Sequence, residues 1–225
     1  MDTHHPPLVP QVVLSRAEEV AQTLRDQISN GELVAGERLA EVELASRENV
    51  SRNTLREAFR LLRQEGLVTQ IPNRGTFVSI PSLTTITDIY RIRRIIECHA
   101  LSNALPMHPA LQAMRTAVAD ATSAAETGDW LAVGTSNIRF HRAVVELTDS
   151  PRLTRLYQQL TAELRLTFSV IDDPKYLHAP FHDYNQRILQ LLEAGDNEKA
   201  SDYMFEYLSK AEQILSTGYQ RLKHL

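Results

Sequence analysis

Residues 50–78 read VSRNTLREAFRLLRQEGLVTQIPNRGTFV. A helical pattern starts at Ser51, whose hydroxyl suits an N-cap, places Leu55, Ala58, Phe59 and Leu62 on one apolar face, and stops at Gly66. LVTQ and TFVSI then give two short β-prone runs joined through IPNRG, which predicts a hairpin. A shorter helix is expected over Glu41–Arg47, just ahead of Ser51. Two short helices joined by a tight turn make a helix-turn-helix, and the hairpin makes a wing beside it. In that motif the first turn of the second helix enters the DNA major groove. Ser51, Arg52, Asn53 and Thr54 occupy that turn, with Arg56 just behind. The residue types suit recognition of DNA, since Arg pairs bidentately with guanine, Asn pairs with adenine, and a Ser or Thr hydroxyl at a helix N-terminus holds a phosphate. At the hairpin tip, Asn73-Arg74-Gly75 offers a tight turn with an arginine for phosphate or minor groove. Arg60 and Arg63 read instead as solvated or paired within their own helix.

Working outward, Ser15 and Glu18 fit a capping box ahead of Ala17, Val20, Ala21, Leu24 and Ile28, and Asn30-Gly31 supplies the stop. GELVAGERL is a turn-rich connector. Residues 1–13, rich in proline and histidine, are expected to be a disordered tail. Pro81 marks a boundary after which the strand signal vanishes. Helices are expected near 84–105, 108–127, 129–147, 151–170, 178–194 and 196–220, with Pro109, Pro151 and Pro180 near helix starts. The fold class is mainly α: a winged helix-turn-helix over 14–80, then an all-α bundle over 81–225.

The chain has 225 residues, 28 acidic and 24 basic side chains, and 43% hydrophobic content, which excludes wholesale disorder. Its formal net charge of −4 does not exclude nucleic acid, because Arg47–Arg74 carries six Arg against three Glu. Screening lets such a local basic face act apart from distant charge. No run approaches a membrane span and no secretory signal is visible, so no membrane partner is expected. With Cys98 as its single cysteine, the chain reads as cytoplasmic and free of disulfides. No P-loop, nucleophile elbow or dinucleotide fingerprint points to an enzyme.

GELVAGERLAEVELA, VSRNTLREAFRLLRQEGLV and NRGTFV resemble the winged helix-turn-helix of the GntR family of bacterial transcription regulators. The family commonly has Thr-Pro-Val where this chain has Asn53-Thr54-Leu55. YRIRRIIECHA, NIRFHRAVVELTDSPRL and ILQLLEAGDNEKASDYMFEYL resemble the FCD effector domain of its FadR-type branch, in the six-helix version. The resemblance implies a homodimer on a palindromic double-stranded DNA operator, acting as a repressor or an activator, with repression the leading reading, and answering to a small organic effector in the helical domain. Many members hold a divalent metal with an Asp-x-x-x-His pair and two later histidines. The matching positions here are Asn137, His141, Asn185 and Tyr207, so neither a metal nor another cofactor is expected. These four are expected to line a polar cavity with little fixed charge. Arg93 matches an arginine often near the ligand and tempts toward a carboxylate, unless it merely pairs with Glu97 one turn on. His182, one turn before Asn185, is close enough in sequence to reach the same space. Two alternatives stay open: a constitutive DNA-binding regulator with a vestigial pocket and, remotely, an enzyme using His141 as a base.

Overall fold

The computed structural model describes residues 14–171 and 173–222; the tail expected over 1–13 lies outside them. α1 (Arg16–Asn30) opens with the expected capping box: Ser15 Oγ accepts from Glu18 N–H, and the Glu18 carboxylate accepts the Ser15 N–H at 2.7 Å. It closes on Gly31 at φ +80°, a left-handed position that strains any residue with a Cβ. α2 (Glu41–Arg47) and α3 (Arg52–Gln64) follow, and α3 turns Leu55, Ala58, Phe59 and Leu62 inward against Val20, Leu24 and Ile28 of α1. Gly66, at φ +75°, lets the chain leave α3 for the sheet.

The expected hairpin is present as β2 (Val68–Ile71) and β3 (Gly75–Val78), with Gln70 opposite Thr76 and Ile71 opposite Gly75. The connector before α2 also contributes a strand. Arg38–Leu39, β1, pairs antiparallel with β3, so the sheet order is β1-β3-β2. Two residues are too few to carry a period-2 signal, which is why the sequence offered only a turn.

Beyond Pro81 the chain is helical: α4 (Leu83–Ser102), α5 (Ala110–Glu126), α6 (Trp130–Glu146), α7 (Pro151–Val170), α8 (Pro174–His178), α9 (His182–Glu193) and α10 (Asn197–Leu222). The single helix expected over 178–194 is divided. α8 ends at His178, Ala179–Phe181 form one 3₁₀ turn, and α9 starts at His182. Pro180 has no N–H to donate and restrains Ala179, so a helix running through it is kinked or, as here, broken. α4 packs on α10 and α5 on α6 around a core that includes Phe140, Val144, Tyr157, Met204 and Leu208.

α7 belongs to two cores. Its Leu160 and Leu164 face the bundle, while Ala162 and Leu166 are buried with Val20, Leu24, Leu55 and Leu62 of the N-terminal region. Polar contacts follow the same seam: Ala35 N–H donates to Ser169 Oγ at 3.1 Å, and Arg165 Nη2 donates to the Asn30 carbonyl at 3.4 Å. A buried leucine contributes about 1.5–3 kcal/mol. The seam therefore adds to stability.

Candidate DNA interface and buried polar cluster

Ser51 caps α3 by accepting the Thr54 N–H at 3.1 Å, and its hydroxyl also lies 2.8 Å from Thr54 Oγ1. The cap leaves Arg52 and Asn53 exposed at the positive end of a helix with no acidic residue in its first turn. Arg56 Nε donates to Glu41 Oε2 at 3.0 Å, and Arg52 Nη2 stands 3.9 Å from the same oxygen. Both arginine side chains are about 60% exposed, so Glu41 orients them without covering them. Arg60 pairs with Glu57 of its own helix at 2.7 Å, as expected, whereas Arg63 reaches out of its helix and donates to Gln70 of β2 at 2.7 Å. Across the open groove beside α3, the wing tip turns through Asn73 at φ +60° and Gly75 at φ +111°, with Asn73 and Arg74 exposed. Arg38 of β1 lies beside this tip: a Cβ on Gly75 would stand 3.6 Å from its Nε. The third strand thus brings to the wing an arginine that no sequence motif had marked.

In the bundle, Arg93, Asn137, His141, Asn185 and Tyr207 come together from α4, α6, α9 and α10, all buried. Asn185 Nδ2 donates to Asn137 Oδ1 at 2.6 Å, and Tyr207 OH donates to the same oxygen at 3.1 Å. The ring of His141 stacks at a tilt on Tyr207, with centroids 4.8 Å apart. Arg93 does not face an open site. Its Nε donates to Glu97 Oε1 at 2.7 Å and to Tyr157 OH at 3.2 Å. Tyr157 OH donates to Glu97 Oε1, and His141 Nδ1 meets Glu97 Oε2, both at 2.5 Å.

The expectation of little fixed charge is therefore corrected: a complete ion pair sits at the centre. Glu97 is its acid and is fully buried. Burial pushes the Glu97 carboxyl up, but Arg93 and then His141 beside it hold it down at about 2. Burial lowers the pKa of His141 despite Glu97, so its ring is neutral and Nδ1–H donates to the carboxylate. The expected polar cavity is small. The void beside Asn137 and Asn185 measures about 10 Å³, close to one water, and Val118, Ala121, Val133, His178, Phe181 and His182 complete its wall. His182 does reach the same space as Asn185. His178 packs its ring on Gly134, and burial, then Arg165, lower its pKa to about 4.

This donor set does not fit a transition metal. Asn137 Oδ1 already accepts two hydrogen bonds, the Tyr207 hydroxyl is burdened by burial that raises its pKa, and one His141 nitrogen is held by Glu97. Among the described residues no group of three or more His, Cys, Asp and Glu could hold a metal ion. The pairing of Arg93 with Glu97, offered as the alternative to a ligand contact, is the one the structure shows, while Tyr157 and the burial of the pair were missed. The one available signal for Glu97 was its spacing from Arg93 inside an apolar helix.

Comparison with known proteins agrees with both halves. The profile described as bacterial regulatory proteins, gntR family, matches residues 16–78, and that of the FCD domain matches residues 88–210. The chain is 26% identical over 185 residues to the Nta operon transcriptional regulator of Aminobacter aminovorans, covering 80% of this chain and 85% of that protein. It is 27% identical to a protein of Paenarthrobacter nicotinovorans named probable D-xylose utilization operon transcriptional repressor, covering 84% and 86%. A GntR transcriptional regulator from Rhodococcus sp. RHA1 superposes with a TM-score of 0.82 at 38% identity, over 90% of this chain and 98% of that one. These relatives are transcription regulators, not enzymes, and no described helix is long and apolar enough to cross a membrane. With its winged helix-turn-helix followed by an FCD domain, the chain belongs to the GntR family of bacterial transcription regulators.

Proposed function

We propose that this regulator binds a palindromic operator as a homodimer in the cytoplasm and represses transcription, with release governed by a small organic molecule received among Arg93, Asn137, His141, Asn185 and Tyr207. Ser51, Arg52, Asn53, Thr54 and Arg56 read the major groove, while Asn73, Arg74 and Gly75 of the wing hold the backbone. The supporting observation is the capped start of α3, where Arg52 and Arg56 stand exposed and oriented by one carboxylate. Release follows if the occupied bundle favours a different placement of α7, because a ligand shifts an equilibrium only by binding one state better. Replacing Arg52 by Ala should cost about 1–3 kcal/mol at the specific site if it pairs bidentately with a base. Fluorescence anisotropy on the native operator measures it, and unchanged affinity in a folded variant refutes the assignment.

A second reading, a constitutive binder with a vestigial pocket, draws on the small void and the internally paired Arg93. An operator affinity that no bound molecule alters would favour it.

A further inference from the structure

Three buried polar atoms in the bundle have no hydrogen-bond partner among the described residues: Asn185 Oδ1, His182 Nδ1 and His141 Nε2. Buried polar groups are nearly always paired, and two of these three belong to residues that line one void, which calls for an explanation. Their chemistry is the same. Asn185 Oδ1 is a carbonyl oxygen and only accepts. The Thr122 hydroxyl donates to the Val118 carbonyl at 2.9 Å, so in its 3.5 Å contact with His182 Nε2 it accepts. In that contact Nε2 is the donor, and Nδ1 is the ring nitrogen without a partner. His141 carries its proton on Nδ1, against Glu97, so its Nε2 is also bare.

Asn185 and His182 line the void itself, and His141 stands one turn from Asn137 on α6. Asn137, its Oδ1 already engaged, keeps an amide NH2 for an acceptor. Charge is balanced nearby, because Arg93 is neutralised by Glu97 and both imidazoles at Glu97 and Gly134 are neutral. A carboxylate inserted here would face lone pairs and bring an unpaired charge out of water.

Resting on the reading of this cluster as the effector site, we infer that its ligand is uncharged and inserts a hydroxyl or a primary carboxamide, not a carboxylate. The void admits a hydroxyl, a group close to the size of water, and a carboxamide enters only as its wall gives. Half-buried His182 and exposed Thr122 stand at its outer side, where the body of the ligand extends.

Two measurements test this. In ¹⁵N NMR of the imidazole rings at pH 7.5, His141 Nε2 and His182 Nδ1 should both appear as bare nitrogens; either ring in the opposite tautomer removes the acceptor array and overturns the inference. Thermal shifts should then be compared across matched pairs: xylitol and xylonate, nicotinamide and nicotinate, benzamide and benzoate. At least one uncharged member should raise Tm at a concentration at least about 100-fold below that of its acid, a floor under the discrimination expected where a site's polar groups would be left unpaired. Asn185→Leu should erase that shift, and His182→Phe, at a half-buried position, repeats the test if the first variant folds poorly. If the acids stabilise better and the variants still erase the effect, the ligand class is wrong and the site stands. If no pair shifts Tm, or the variants leave every shift intact, the effector-site reading falls with it.

Discussion

Glu97 should be the most costly polar side chain in the bundle to alter. Its two oxygens serve three donors: Arg93 and Tyr157 on Oε1, and His141 on Oε2. Glu97→Gln preserves the volume but removes the charge that balances Arg93, a guanidinium only 2% exposed. The amide must also turn an NH2 toward either the Oε1 donors or the His141 N–H, so one donor loses its acceptor whichever way it rotates. Breaking a buried ion pair from one side costs about 3–5 kcal/mol, most of it from the charge left behind. At about 2 °C per kcal/mol for a chain of this length, Tm should fall by about 6–10 °C. The pH profile gives an independent check. The folded Glu97 carboxyl at about 2 lies below its ordinary 4.5, so its contribution is full above pH 4.5 and lost as pH falls toward 2. The variant should be flatter across that window. Urea denaturation at pH 7 and pH 3 measures both effects. A second variant, Arg93→Met with Glu97→Leu, should recover much of the loss, because the stranded charge is gone. A loss under about 1 kcal/mol for Glu97→Gln, or a double variant no better than the single one, would refute this account of the cluster.

Other expectations concern separate parts of the chain. His178→Gln should shrink the fall in stability between pH 6.5 and 4 by about 3 kcal/mol, since a buried imidazole with its pKa lowered to about 4 stabilises the fold above 6.5 and loses that effect as pH drops; urea titrations across the window measure it. Gly31→Ala and Gly128→Ala share the left-handed strain of about 1–2 kcal/mol, but only the first places a Cβ 2.7 Å from Arg165 Nη2. Gly31→Ala should therefore be the worse of the two in urea denaturation, and equal losses would mean that the Arg165 contact adds nothing. Arg74→Ala should weaken specific and non-specific DNA alike and lower the salt slope by about 1, as seen by anisotropy at several ionic strengths.

What the sequence revealed depended on how local the cause was. The Ser15–Glu18 box, the Ser51 cap and the apolar spacing from Leu55 to Leu62 are set by neighbours within a few residues, and they appear where expected. The break at Pro180 was visible as a residue, yet its effect, a separate α8 and a 3₁₀ turn, depends on how the flanking segments pack. β1 was invisible because two residues hold no pattern until β3 supplies a partner. The cluster in the bundle was half legible. The positions of Asn137, His141, Asn185 and Tyr207 followed from resemblance and do converge. Tyr157 did not stand out, and the burial of the Arg93–Glu97 pair did not either, because an Arg and a Glu four apart look the same on a surface as in a core. Only the helices packed around α4 make that pair a buried one.

The dual membership of α7 bears on how regulators of this kind are recombined. A cut at the linker near residues 79–82 looks natural for building chimeras that join one DNA reader to another sensor. Yet Ala162 and Leu166 complete the hydrophobic core of the reader from the far side of that cut. A transplanted reader without them would carry an uncovered apolar patch, and a foreign sensor would present it with the wrong shape. Functional hybrids therefore need the outward face of α7 grafted together with the reader, as one inherited unit.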